Sequence, residues 1–244
     1  MKSSTMTSPP LATQDWEAYT HREHQVWATL YGRRMATLRT TASRVFLDGV
    51  DAIGLSPNRV PDLRDLNARL SDRTGWTAVP VSGFLPARVF FGLLAERRFP
   101  TTVTVRPPTQ LDYIPEPDIF HDVFGHVPLL ADPRYAECLR HLGAVAATGA
   151  GVWALERLTR LFWFTVEFGL IREEGGTKIF GSGLISSHTD AAHALGSDCQ
   201  RLPFDLEAVA RQPFEIDRLQ DVLVVIDSFD ELLEVLSRHS EPSG

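Results

Sequence analysis

Two histidines five residues apart, His121 and His126, and a glutamate inside apolar sequence, Glu167, are the residues of this chain whose types suit a metal ion. Two imidazoles and one carboxylate leave coordination positions open. On non-haem iron(II) those positions admit dioxygen; on zinc one of them holds a water for hydrolysis. The spacing alone is a weak signal, because residues five apart on an ideal α-helix sit about 140° around the axis. For both rings of His-Asp-Val-Phe-Gly-His to converge the helix must be locally distorted, which Gly125 makes easier. Two hydrogen-bonded histidines in an ordinary helix are the plain alternative. Glu167 stands in the run Leu-Phe-Trp-Phe-Thr-Val-Glu-Phe-Gly-Leu-Ile at 161–171, where an unpaired carboxylate is costly. A metal compensates it; so does an ion pair with Arg160 or Arg172. A third feature is Arg106, whose planar fork suits a carboxylate gripped by two parallel hydrogen bonds, although most arginines are simply solvated.

These residues need a scaffold, and the sequence reads as mostly helical. From residue 16 to about 50, Trp27, Leu30, Tyr31 and Leu38 recur at steps of three and four among polar residues, as on an amphipathic helix. Pro57 and Pro61 interrupt before a second helical stretch at 62–71, and residues 75–83 alternate like a short strand. A helix is expected over about 86–97 with Pro86 in its first turn. Five prolines between 100 and 117 exclude regular helix and leave an extended connector carrying Arg106. Asp118 can cap a helix that starts near Ile119 and runs through His126 to Val127, ahead of Pro128. Another helix, about 133–147, places Tyr135, Cys138, Leu139, Leu142 and Val145 on one face. Gly149 and Gly151 mark a break, and 151–171 is apolar nearly all round, as expected of a helix at the centre of a domain. Residues 172–180 read as a hairpin turning at Gly175 and Gly176, 222–226 as a strand, and Ser228 with Glu231 as a capping box for a last helix through Leu236. The expected fold is mainly α with a few short β-strands: one domain at 15–238, a flexible tail at 1–14 and a short one at 239–244.

Composition narrows the function. With 43% hydrophobic residues, the chain of 244 can bury one sizeable core. A formal net charge of −7 argues against neutralising nucleic acid or anionic lipid, so the expected partners are small molecules. Two cysteines, Cys138 and Cys199, fit a reducing compartment. No run of about 18 apolar residues is present, and the first residues lack the apolar core of a secretory signal. The expectation is a cytoplasmic protein that binds neither nucleic acid nor membrane.

Two motifs now combine. Pro115-Glu-Pro-Asp-Ile-Phe-His-Asp-Val-Phe-Gly-His-Val-Pro128 and Trp163-Phe-Thr-Val-Glu-Phe-Gly169 resemble the pterin-dependent aromatic amino acid hydroxylases, with the compact bacterial phenylalanine hydroxylases fitting in length and order. At motif level the likeness runs from about Val79 to Ser187. It implies a single hydroxylase-like catalytic domain with His121, His126 and Glu167 as iron ligands. It places Gly83, Phe84, Leu85, Phe90 and Asp122 at the pterin, and Arg106, Asp118, Trp163, Phe168, Gly183 and Ser186 at the amino acid. Iron(II), a tetrahydropterin and dioxygen are the implied cofactor and cosubstrates, and a monomer is the expected state. Trp163 matches a position that is tryptophan in phenylalanine and tyrosine hydroxylases and phenylalanine in tryptophan hydroxylases. Phenylalanine to tyrosine is therefore the implied reaction, ahead of meta-hydroxylation or a tryptophan substrate. The chain departs from the family at Ser186-Ser-His-Thr-Asp190, where Ser-Ser-x-Gly-Glu is common, and at Phe162, often tyrosine. Two rivals stay open: a zinc hydrolase with Asp122 as general base, and a binding protein without catalysis.

Overall fold

The computed structural model describes residues 12–148, 155–215 and 218–238. The glycine break at 149 and 151, the start of the helix expected from 151, residues 1–11 of the first tail and the tail at 239–244 lie outside the described residues. Ala12 and Gln14, expected in the first tail, are held: Ala12 donates to Pro80 O, and the Gln14 amide bonds Pro61 O and the Leu63 N–H.

Helix α1 (His21–Thr41) opens with a capping box, Thr20 accepting from the Glu23 N–H and Glu23 accepting from the Thr20 N–H. The helical layer expected over 16–50 comes as two α-helices, parted at Ala42 and Ser43. Ser43 donates its N–H to Ile179 O at 2.7 Å while its hydroxyl caps α2 (Arg44–Ala52), so pairing with a distant strand redirects the chain. Asp62 caps α3 (Leu63–Thr74). Strands β1 (Thr77–Val81) and β2 (Arg98–Thr102) run parallel, with α4 (Ala87–Ala95) as their crossover. Pro80 and Pro100 are tolerated because each strand of a two-stranded sheet has a free edge. Pro86 is the cap of α4 rather than part of its first turn, and β2 takes the first residues of the expected connector.

The histidine segment follows. Phe120–His126 is a π-helix, and a 3-10 turn, Val127–Ala131, carries the chain through Pro128 instead of stopping before it. Phe120 and Phe124 stack with centroids 4.6 Å apart, and Trp27, Tyr31 and Phe46 meet them edge-on from α1 and α2. This buried aromatic cluster ties the π-helix to the core.

Helix α5 (Pro133–Thr148) buries Tyr135, Cys138, Leu139, Leu142 and Val145 as its pattern predicts. Helix α6 (Leu155–Phe162) passes into a second π-helix, Trp163–Glu167, closed by the Phe168 N–H on Trp163 O at 2.9 Å. The helix expected to reach Ile171 thus ends at Glu167, and Leu170 begins a strand. That strand, β3 (Leu170–Glu173), and β4 (Gly176–Ile179) form the expected hairpin, with Gly175 at φ 92° and Gly176 at φ 120° supplying backbone other residues resist. Then come α7 (Ser182–Ser186), α8 (His188–Leu195), β5 (Gln200–Pro203), α9 (Leu206–Val209), β6 (Val222–Ile226) and α10 (Phe229–Arg238). The second sheet has the order β4-β3-β6-β5. Ser228 accepts from the Glu231 N–H as expected, but Glu231 reaches back to the Asp227 N–H, one residue beyond a regular box. Among the described residues, no helix is long and apolar enough to cross a membrane.

Candidate active site

In a π-helix each N–H bonds the carbonyl five residues back rather than four, so residues five apart come over one another. That removes the conflict in the spacing of His121 and His126, whose rings meet edge to face with centroids 5.1 Å apart. The second π-helix delivers Glu167 to them. Its Oε1 lies 3.3 Å from His126 Nε2 and its Oε2 3.6 Å from His121 Nε2, separations that fit donors about 2.1 Å from one shared ion. Among the described residues these three form a group able to hold a metal, one donor atom of each lying within 4.8 Å of the others.

The surroundings prepare the donors. His121 Nδ1 is 2.9 Å from Ser186 Oγ, and the Ser186 hydroxyl is directed at Gly183 O. With Ser186 accepting from Nδ1–H, the Nε2 lone pair would be left for a metal. Neither arginine considered as a partner of Glu167 serves it: Arg160 pairs with Glu156 and Arg172 with Asp227. Burial pushes the Glu167 carboxyl up, but the His126 and His121 imidazoles and the Ser182 hydroxyl outweigh it and hold the group down to about 2. It is an anion at neutral pH.

A cavity of about 210 Å³ opens against all three residues. Gly83, Phe84, Leu85 and Phe90 line it from the crossover, Asp122 from the first π-helix and Phe162 from α6, so every residue expected at the pterin is on its wall. Gly83 has φ 147°, a backbone state that favours glycine. Phe90 packs edge-on against Phe91, Phe99 and Phe162, and Phe84, 75% exposed, forms the rim. Asp122 Oδ2 accepts from the Thr102 N–H at 2.6 Å and hydroxyl at 2.7 Å. Burial raises the pKa of Asp122, against the pull of His121 and these donors. A slightly larger cavity, about 240 Å³ between Trp16, Ile53 and Arg69, contains none of these residues.

The six residues expected at the amino acid do not line the 210 Å³ cavity; of them Asp118 and Ser186 bond His121, and Gly183 lies against the Glu167 carbonyl. Arg106 is not a solvated arginine. Its Nε and Nη2 donate to Asp118 Oδ2 and Oδ1 at 2.9 and 2.7 Å, with the two side chains 5% and 1% exposed. Asp118 also accepts from the backbone N–H of Arg106 and of His121. One edge of the guanidinium is thus committed, leaving Nη1 and the second Nη2 hydrogen for a ligand. Trp163 lies 4.7 Å from Phe168 and stacks at 4.7 Å on Phe214. Phe214 was not among the candidates, since it stands in a polar loop with no periodicity. A side chain at Gly183 would come within 3.0 Å of Glu167 O and the Phe168 ring. In the departure at 187–190, Ser187 caps α8 by accepting from the Asp190 N–H, so that stretch has a plain structural use.

Residues 15–242 match the family described as biopterin-dependent aromatic amino acid hydroxylase. The phenylalanine-4-hydroxylase of Caulobacter vibrioides is 46% identical over 226 residues, 92% of this chain and 77% of that protein. That of Ralstonia nicotianae is 44% identical over 88% of this chain and 69% of its own length. The crystal structure of Chromobacterium violaceum phenylalanine hydroxylase with bound iron(III) and the oxidised cofactor 7,8-dihydrobiopterin has a TM-score of 0.91 at 40% identity, covering 96% of this chain and 85% of that one.

Proposed function

The chain belongs to the biopterin-dependent aromatic amino acid hydroxylases, and from that premise we propose that it converts free phenylalanine to tyrosine with iron(II), a tetrahydropterin and dioxygen. Three donors from two π-helices converge on the wall of a cavity that Gly83, Phe84, Leu85, Phe90 and Asp122 also line, and that convergence carries the reading. Two nitrogens and a carboxylate with open positions suit iron(II). When bound, iron and the reduced pterin together supply the electrons and the site at which dioxygen is split.

What the chain itself contributes is placement. Ser186 holds the His121 tautomer, and Glu167 keeps one negative charge on the site. Phe90 and the backbone at Gly83, Phe84 and Leu85 hold a flat pterin ring against the triad, with Asp122 offering a polar contact. The open edge of Arg106 takes the α-carboxylate of the amino acid, oriented by Asp118. Trp163, Phe168 and Gly183, with Ser186, bound the place of the aromatic ring. A zinc hydrolase would need Asp122 as base toward a metal-bound water, and one oxygen of Asp122 is already engaged twice by Thr102. We read residues 15–238 as the catalytic unit of a cytoplasmic monomer without nucleic-acid partners. The buried, unpaired Cys138 and Cys199 support the reducing compartment, and sedimentation of the purified chain tests the monomer.

The test is reconstitution with iron(II) under argon, followed by oxygen, a tetrahydropterin and each aromatic amino acid. Phenylalanine is expected to exceed tryptophan in kcat/KM by at least about 10-fold, because an indole must displace a pocket wall that a single ring does not meet. A ratio favouring tryptophan sinks the substrate assignment and leaves the iron and pterin chemistry standing. In the same assay Phe90→Ala is expected to raise the KM for pterin several-fold, about 0.5–1.5 kcal/mol for one lost aromatic partner, with a smaller change for the amino acid. Unchanged pterin dependence removes Phe90 from the site.

A further inference from the structure

Two of the three triad residues are gripped from one face of the same short helix. In α7, Ser186 meets His121, and four residues earlier Ser182 Oγ lies 2.8 Å from Glu167 Oε2. The same oxygen is 3.2 Å from Val166 O. A hydroxyl has one hydrogen to donate, and the shorter contact to an ionised acceptor makes Glu167 its partner. Ser182 is wholly buried, so water does not compete for that bond. The helix cannot drift away from the site. A Cβ on Gly125, between the two histidines, would sit 3.2 Å from Ser182 Cβ and 3.1 Å from its carbonyl oxygen, so α7 lies against the first π-helix. At the other end, the buried Arg34 of α1 donates Nε to Ile185 O at 2.7 Å and Nη2 to Leu184 O at 2.9 Å.

We propose that Ser182 is a positioning residue for the metal centre: its hydroxyl fixes the rotation of the Glu167 carboxylate so that the oxygens face His126 and His121, and it slows loss of the ion. The proposal rests on the metal-binding reading of the triad. Without the hydroxyl, Glu167 keeps its charge and its place on the chain but is free to turn about its last bond. Affinity should then fall while the fold stands, because Ser→Ala removes one oxygen and leaves the backbone of α7 tied by Arg34.

Metal-free wild type and Ser182→Ala are titrated with Co(II), followed by its visible absorption, and the release of Fe(II) to a chelator is timed. Ser182→Ala is expected to weaken Co(II) binding by about 10-fold or more, to alter the Co(II) spectrum and to speed Fe(II) release. The thermal midpoint of the metal-free variant should fall only slightly, by the one hydrogen bond lost, with the fold intact. Equal affinity and release in the two chains overturns the proposal. So does a loss of affinity accompanied by an equal loss of metal-free stability, since that marks a packing role. A wild-type chain that takes up no Co(II) overturns the triad reading and this proposal together.

Discussion

His121→Ala, His126→Ala and Glu167→Ala each lose iron and turnover together, against about one iron per chain in wild type. The three donors are not interchangeable with water here. Glu167 lies 3.3 and 3.6 Å from the two imidazole nitrogens in a site where its side chain is only 15% exposed. Taking away either imidazole leaves the anion facing one fewer compensating group and the ion with two protein ligands. Taking away Glu167 leaves two neutral nitrogens and no charge to balance a dication. Ser186→Ala, which removes only the hydrogen bond to His121, should cost about 10–100-fold in metal affinity. Elemental analysis of reconstituted protein with product quantification checks the set. Wild-type iron and turnover in all three alanine variants would remove the metal site from the molecule.

Asp118→Ala is expected to destabilise the fold by about 3–5 kcal/mol, the cost of leaving a buried charge without its partner. The Arg106 side chain is 5% exposed, so solvent compensates the lost carboxylate poorly. Asp118 also accepts from the Arg106 and His121 N–H groups, so its loss loosens the connector and the start of the first π-helix at once. Urea unfolding measures the effect. A loss below about 1 kcal/mol, the range of an exposed pair, would show that Arg106 finds another partner. Arg106→Lys separates stability from binding. It keeps the charge but cannot offer one edge to Asp118 and the other to a substrate carboxylate. The KM for phenylalanine should rise strongly and that for pterin much less; equal rises in both would place Arg106 away from the amino acid.

The elements were legible where a local pattern sufficed. The cap at Ser228, the face of α5 and the turn at Gly175 and Gly176 rest on neighbouring residues, and each stands where sequence put it. The π-helices were not legible in the same way. The five-residue spacing of the histidines called for a distortion, but its form depends on Phe120 and Phe124 being clasped by Trp27, Tyr31 and Phe46, which come from elsewhere in the chain. Nothing in the apolar run before Glu167 announces that the helix widens and stops there. For Glu167 the sequence showed that a carboxylate needed a cation and left its identity open between arginine and metal. For Arg106 the residues alone left a solvated side chain open as the plain alternative, because its partner stands twelve residues away, past a connector whose path no periodicity describes. Phe214 and Ser182 carry no signal at all, since only the folded chain brings them to Trp163 and Glu167.

The clasp of Arg34 on Leu184 and Ile185 joins residues 150 and 151 positions apart. Closing so long a loop is entropically unfavourable until much of the intervening chain is already compact. Helix α7 is only five residues long and has no independent stability, so its two serines reach their places after that closure. On this topology the early helical layer and the histidine segment are expected to condense before the long-range clasp seats α7, with the metal donors arranged last. Metal loading would then report completed folding through a contact between α1 and α7.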